Sequence, residues 1–131
     1  MIQETTKAYF AGLFDGEGCV LVSQQSSLLV EIAMSDKLPL TTLLDIYGGS
    51  VGAYKKSASI KTVYQYTLAG REALNFLEDI LPYSLNKRPQ IELALTFPVG
   101  THGRKVLDSD LILRDSIYLK LKELKQIPVN V

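Results

Sequence analysis

Apolar and polar positions recur along this chain with two different periods, and the switches between them mark its elements. Thr5 to Glu17 fits a helix, with Ala11, Leu13 and Phe14 on its apolar side, Thr5 or Thr6 as a cap and Gly18 as a left-handed stop. The run from Cys19 to Ser35 holds two strand-like stretches joined by a polar turn at Gln24–Ser27. In the second, Val30, Ile32 and Met34 alternate with Glu31, Ala33 and Ser35, the period of a sheet with one buried face. Leu38 to Tyr47 reads as a short helix opened by Pro39 and stopped by Gly48-Gly49. A second hairpin follows around Ser57-Ala58-Ser59. On its return strand Tyr64, Tyr66 and Leu68 share one face, and Lys61, Val63, Gln65 and Thr67 share the other.

A helix from Arg71 ends at Pro82, and another stretch from Lys87 to Phe97 carries Pro89 in its first turn. Leu111, Ile112, Ile117, Leu121 and Leu124 space a closing amphipathic helix over Asp108–Lys125. The order α-β-β-α-β-β-α-α-α predicts an α+β fold with sheet on one side and helices on the other. No linker divides the chain, so residues 1–131 are read as one domain. "TLAGREAL" (Thr67–Leu74) echoes the "FAGLF" of the first helix but lacks its acidic ending, so it is not a second copy.

Composition narrows this picture. With 47% apolar and 21% charged residues, the chain is that of an ordinary globular protein. It holds no run long and apolar enough for a membrane span, and no signal-peptide core. The lone Cys19 excludes an internal disulfide, and the expected compartment is intracellular: cytoplasm, or an organelle in a eukaryotic host. The 14 basic and 14 acidic residues cancel, which argues against a strongly basic nucleic-acid binder. Yet Lys55, Lys56, Lys61 and Arg71 fall in an acid-free stretch, which reads equally as an electrostatic footprint or as a lysine-protected hairpin edge.

The candidate chemistry lies in the first helix. Ala8, Gly12 and Gly16 recur every fourth residue along one face, where small residues let another backbone approach. Each interior glycine costs about 1 kcal/mol against alanine, so two of them need a packing reason. Asp15 and Glu17 occupy the last turn, where the helix dipole disfavours negative charge. A divalent cation with oxygen ligands would reverse that penalty. Two residues apart on a helix, the two carboxylates point in different directions, so only one is the expected ligand.

"FAGLFDGEG" (Phe10–Gly18) resembles the signature of the LAGLIDADG homing endonuclease family, and "LPYSLNKRPQ" (Leu81–Gln90) is similar to its proline-aromatic stretch leading to a basic residue. The resemblance covers Tyr9 to Phe97 and implies an αββαββα fold with a four-stranded antiparallel, saddle-shaped sheet covered by helices. It implies that Glu17 binds the catalytic metal, with the Gly16 carbonyl contributing, and that Mg2+ or Mn2+ is the cofactor. Asp15 matches the earlier acid, for which a structural hydrogen-bonding role is expected. Lys87 falls on the basic position at the edge of the active site. Where the family often has Gln near the end of the second strand, this chain has Met34 and Ser35, which leaves that solvent-positioning role unfilled.

A single signature copy implies a homodimer, with Ala8, Gly12, Gly16 and Asp15 at the interface and intron homing as the biological setting. The implied activity is site-specific hydrolysis of both strands of a long pseudo-palindromic duplex, with each sheet in the major groove and no membrane partner. Polarity assigns Ser23, Gln25, Glu31, Lys61, Gln65 and Thr67 to the DNA-facing set, with Lys55 and Lys56 on the same surface. Cys19 and Leu21 share that face, where contact with thymine methyls competes with a part-buried sheet edge. His102 reads as a loop residue rather than a general base, and Arg104 and Lys105 as possible backbone contacts. Two other readings stay open. One is a non-cleaving nucleic-acid binder on the same scaffold, an RNA maturase or transcription regulator; the other is a dimeric interaction module whose glycines only pack.

Overall fold

The computed structural model describes residues 2–23, 27–55, 61–99 and 108–126. Among these residues nine α-helices and strands follow in chain order: α1 (Glu4–Glu17), β1 (Gly18–Val22), β2 (Leu28–Met34), α2 (Leu38–Tyr47), β3 (Ser50–Lys55), β4 (Thr62–Ala69), α3 (Gly70–Ile80), α4 (Arg88–Ala94) and α5 (Asp108–Gln126). A 3-10 turn, Leu81–Tyr83, extends α3 and contains Pro82, so the proline tightens the helix end instead of cutting it. The strands form one antiparallel sheet in the order β1-β2-β4-β3. Both hairpin tips, including Gln25, Lys56 and Ser57-Ala58-Ser59, lie outside the described residues, as do His102, Arg104 and Lys105.

The alternation expected of β2 and β4 is realised. Val20, Val30, Ile32, Tyr66 and Leu68 are buried on one face of the sheet, where Phe14, Leu43, Phe76, Leu77, Ile80 and Ile91 of the helices meet them. Phe14 and Phe76 pack edge to face with centroids 5.7 Å apart, joining α1 to α3. Tyr66 is fully buried, and its hydroxyl reaches the carbonyls of Gly48 at 2.7 Å and Leu43 at 3.2 Å. The Gly48 carbonyl, just past the end of α2, thus satisfies a buried phenol. Burial pushes the Tyr66 hydroxyl well above its ordinary pKa.

Three local expectations are corrected. Gln3, not Thr5 or Thr6, occupies the N-cap of α1, and it makes no side-chain capping bond. Gly18 is extended (φ −93°, ψ 167°) rather than left-handed. Its glycine is required by space: a Cβ there would lie 2.1 Å from the buried Phe14 ring. In α5 the apolar spacing is only half used, since Ile117 and Leu121 are buried while Leu111 and Ile112 are exposed. The helix packs against β1 and α4, and Arg114 in its first half donates to the Pro98 carbonyl at 3.1 Å.

Candidate functional site

The end of α1 is held by a hydrogen-bonded bracket to the segment between the 3-10 turn and α4. The Asp15 carboxylate accepts from the Ser84 hydroxyl and from the backbone N–H groups of Leu85 (2.7 Å), Asn86 (3.1 Å) and Lys87 (3.2 Å). These N–H groups run directly into the first turn of α4, where unpaired donors favour an anion. Burial alone would raise the Asp15 pKa. The Ser84 hydroxyl and the three N–H donors outweigh it, and the carboxyl is held below its usual range. An acid that offends the dipole of its own helix therefore complements the start of another.

The return contact comes from Lys87, whose Nζ donates to the Asp15 carbonyl oxygen at 2.6 Å and sits 5.9 Å from the Phe14 ring centroid. The last turn of α1 has no basic residue of its own. Lys87 supplies the missing cation from 72 residues away in the chain. Asn86 Nδ2 donates to the same carbonyl at 3.4 Å, and Arg88 ties the segment to itself through Ser84 O and Pro82 O. Ser84 and Asn86 are contributors that sequence reasoning missed. Their signal was a Ser-x-Asn pair between two prolines, the residue types that cap helices.

Glu17 stands apart from this bracket. It is exposed, with no hydrogen-bond or ion-pair partner among the described residues. Gly16 beside it is exposed too, as are Ala8 and Gly12. Beyond the helix's own turn, a Cβ at Gly12 or Gly16 would meet nothing within 4 Å among the described residues, so packing among them does not account for either glycine. Between Glu4 and Glu17 the exposed face of α1 consists of Thr5, Ala8, Tyr9, Gly12 and Gly16, without a charge. Among the described residues no group of three or more His, Cys, Asp or Glu side chains gathers to enclose a metal. One carboxylate with an adjacent carbonyl fits the alternative mode of Mg2+, which keeps its waters and uses one or two carboxylates plus substrate phosphates.

On the sheet face turned away from the helices, strand pairing sorts the expected DNA-facing residues into rows. Cys19, Glu31, Thr67 and Ser50 form one row, and Ala33, Gln65 and Gly52 form the next. Gln65 Nε2 donates to Glu31 Oε2 at 2.6 Å across the two central strands. Leu21, Leu29 and Ala69 lie on one side of these rows, and Val63 and Tyr54 on the other. Ser23 follows β1 directly and closes the hairpin, its hydroxyl accepting from the Ser27 N–H at 3.2 Å. Lys61 is exposed just ahead of β4. Lys55 pairs with Thr62 and so falls on the opposite alternation from Gln65, at the exposed end of β3.

The geometry agrees with the comparisons to known proteins. The homing endonuclease I-CvuI, in complex with its target in the presence of Ca, superposes with a TM-score of 0.68 at 21% identity, covering 98% of this chain and 87% of that one. The archaeal intron-encoded homing endonuclease I-Vdi141I, complexed with DNA, gives 0.66 at 18% identity with the same coverage. I-CvuI with the I-CreI target in the presence of Mg, its DNA not cleaved, gives 0.66 at 19%. No curated protein matches by sequence. These likenesses establish the fold, and the family model of the LAGLIDADG-like domain matches residues 4–81. From the first turn of α1 to the 3-10 turn after α3, more than half of its length, the chain belongs to the LAGLIDADG-like domain family.

Proposed function

We propose that this chain is a site-specific double-strand DNA endonuclease, active as a homodimer with Mg2+ or Mn2+. The observation that carries the reading is the Glu17 carboxylate, without a partner among the described residues and exposed at the end of a helix whose outer face between Glu4 and Glu17 is uncharged. Exposed helix faces are ordinarily charged, and Gly12 and Gly16 weaken the helix without serving its own chain. A second copy packed on that face across a two-fold axis gives both observations a reason. It would bring two Glu17 carboxylates to one end of the helix pair. Like charges at close range repel, which favours cations between them.

Glu17 and the Gly16 carbonyl are the residues that would hold the metal. Held there, a divalent cation would supply an activated water and would stabilise the charge on the leaving 3′ oxygen. Lys87 places an ammonium beside the same helix end, where it would steady a phosphate. Asp15 fixes the backbone of Lys87 and shares no role in metal binding. A β-ribbon fits a major groove, where the polar rows of the sheet would read base edges, and the two-fold axis implies a pseudo-palindromic target. Among the described residues no helix is long and apolar enough to cross a membrane. Intron homing is the setting that such a target suggests.

A non-cleaving nucleic-acid binder, a maturase or regulator, is the second reading. It is favoured by the engagement of Lys87 with the Asp15 carbonyl, a purely structural use of that ammonium. Incubation with Mg2+ and a duplex DNA library, followed by sequencing of cut ends, separates the two. Cleavage at one sequence by the wild type, falling at least a hundredfold in Glu17→Gln, is expected (about 10²–10³ for loss of a transition-state contact). Undiminished cleavage by Glu17→Gln, or none by the wild type at any sequence, sinks the assignment.

A further inference from the structure

We infer that Glu31, held by Gln65 across the two central strands, is a specificity-determining residue that selects the exocyclic amino group of a cytosine. The inference rests on the proposed reading of the sheet as a major-groove surface. A carboxylate facing phosphates carries an electrostatic cost, so its presence at the centre of that surface needs a reason. Among the described strand residues on the outward alternation, Glu31 is the one carboxylate.

The chemistry of the pair sets what it can read. A carboxylate only accepts hydrogen bonds, so the Gln65 atom 2.6 Å from Glu31 Oε2 must be the amide nitrogen. The Gln65 amide is thereby oriented, one of its two N–H donors is spent, and its oxygen is turned away from Glu31. The remaining lone pairs of Glu31 are acceptors as well. The centre of the face is therefore rich in acceptors, and in the major groove the complementary donors are cytosine N4 and adenine N6. Adenine is read by a glutamine or asparagine offering donor and acceptor together, whereas a carboxylate pairs with cytosine N4.

The backbone leaves room for that base. Gln65 is flanked across the ladders by Ala33 and Gly52, the two smallest residue types. Gly52 needs no left-handed conformation, and a Cβ there would find nothing within 4 Å. A glycine inside a strand with neither reason marks a place where another molecule approaches the backbone. The slot over Gly52 lies directly beside Gln65.

The test selects the full-length protein against a randomised duplex library in Ca2+, so that bound DNA is recovered without reliance on cleavage. Wild type is expected to enrich C·G at one position and at its symmetry mate. Glu31→Gln is expected to shift that position toward A·T by roughly tenfold in relative enrichment, with the rest of the site unchanged. Gly52→Leu is expected to erase the preference at the same position. Replacing the selected cytosine by 2-pyrimidinone, which lacks the N4 amino group, is expected to weaken wild-type binding by roughly tenfold, a readout that needs no variant. Sequence-selective binding with identical preferences in wild type and variants, or full affinity for the 2-pyrimidinone duplex, overturns the inference and leaves the endonuclease reading standing. A wild type that binds with no preference overturns both.

Discussion

Asp15 and Glu17 stand two positions apart along a helix, and the structure gives them opposite surroundings. Asp15 is tied by four hydrogen bonds to its carboxylate, while Glu17 faces solvent. Asp15→Asn keeps the shape and removes the charge, leaving an amide nitrogen facing N–H donors. A loss of about 1–2 kcal/mol at neutral pH is expected, below the full value of charged hydrogen bonds because water reaches this segment. The folded-state pKa of Asp15 is depressed, so its contribution is present above the unfolded-state value and is lost as pH falls through the folded one. Chemical denaturation from pH 7 to pH 2.5 checks this. The gap between wild type and Asp15→Asn should close in the acid, and a pH-independent gap would contradict the charge argument.

At the scale of elements, the junction between α1 and β1 turns on one van der Waals contact. Gly18 lies against the face of Phe14, and Phe14 in turn is the α1 side chain that meets α3 through Phe76. Gly18→Ala forces that ring out of a filled core and is expected to cost about 1–3 kcal/mol. The double variant Gly18→Ala/Phe14→Leu should recover part of that loss relative to the sum of the single ones, as a thermodynamic cycle would reveal. Strict additivity would remove the steric explanation. Because Glu17 immediately precedes this junction, the same contact sets the direction from which its carboxylate leaves the helix.

At the scale of the molecule, the exposed face of α1 continues into an open cleft of about 360 Å³ between α1 and α2, lined by Tyr9, Leu38 and Pro39. Tyr9 is 57% and Leu38 76% exposed, so the uncharged surface is wider than one helix. Gly12→Leu is expected to shift a dimer to monomer in sedimentation velocity at micromolar concentration. The monomer should fold normally, because beyond the helix's own turn no atom of the described residues lies within 4 Å of the added Cβ. A wild type that sediments as a monomer would count against the dimer. So would a Gly12→Leu dimer of undiminished affinity.

Much of this was legible in the residue pattern. The order of the seven leading elements, the limits of α2 and the division of β4 into two faces follow from hydrophobic period, proline and glycine, because these report local backbone and burial. The small, uncharged stripe of α1 was equally visible. The caps of α1 and the half-used apolar spacing of α5 were not, because they depend on what packs nearby. Most of all, tertiary structure decided the fate of the two acids. No local rule places Ser84, Asn86 and Lys87 at the end of α1. Likewise, the Glu31–Gln65 pair joins strands 34 residues apart and depends on a register that only the closed sheet supplies. The sequence alone determined which residues carry charge and which are small. Long-range pairing determined that Asp15 is satisfied and that Glu17, two residues further on, has no partner among the described residues.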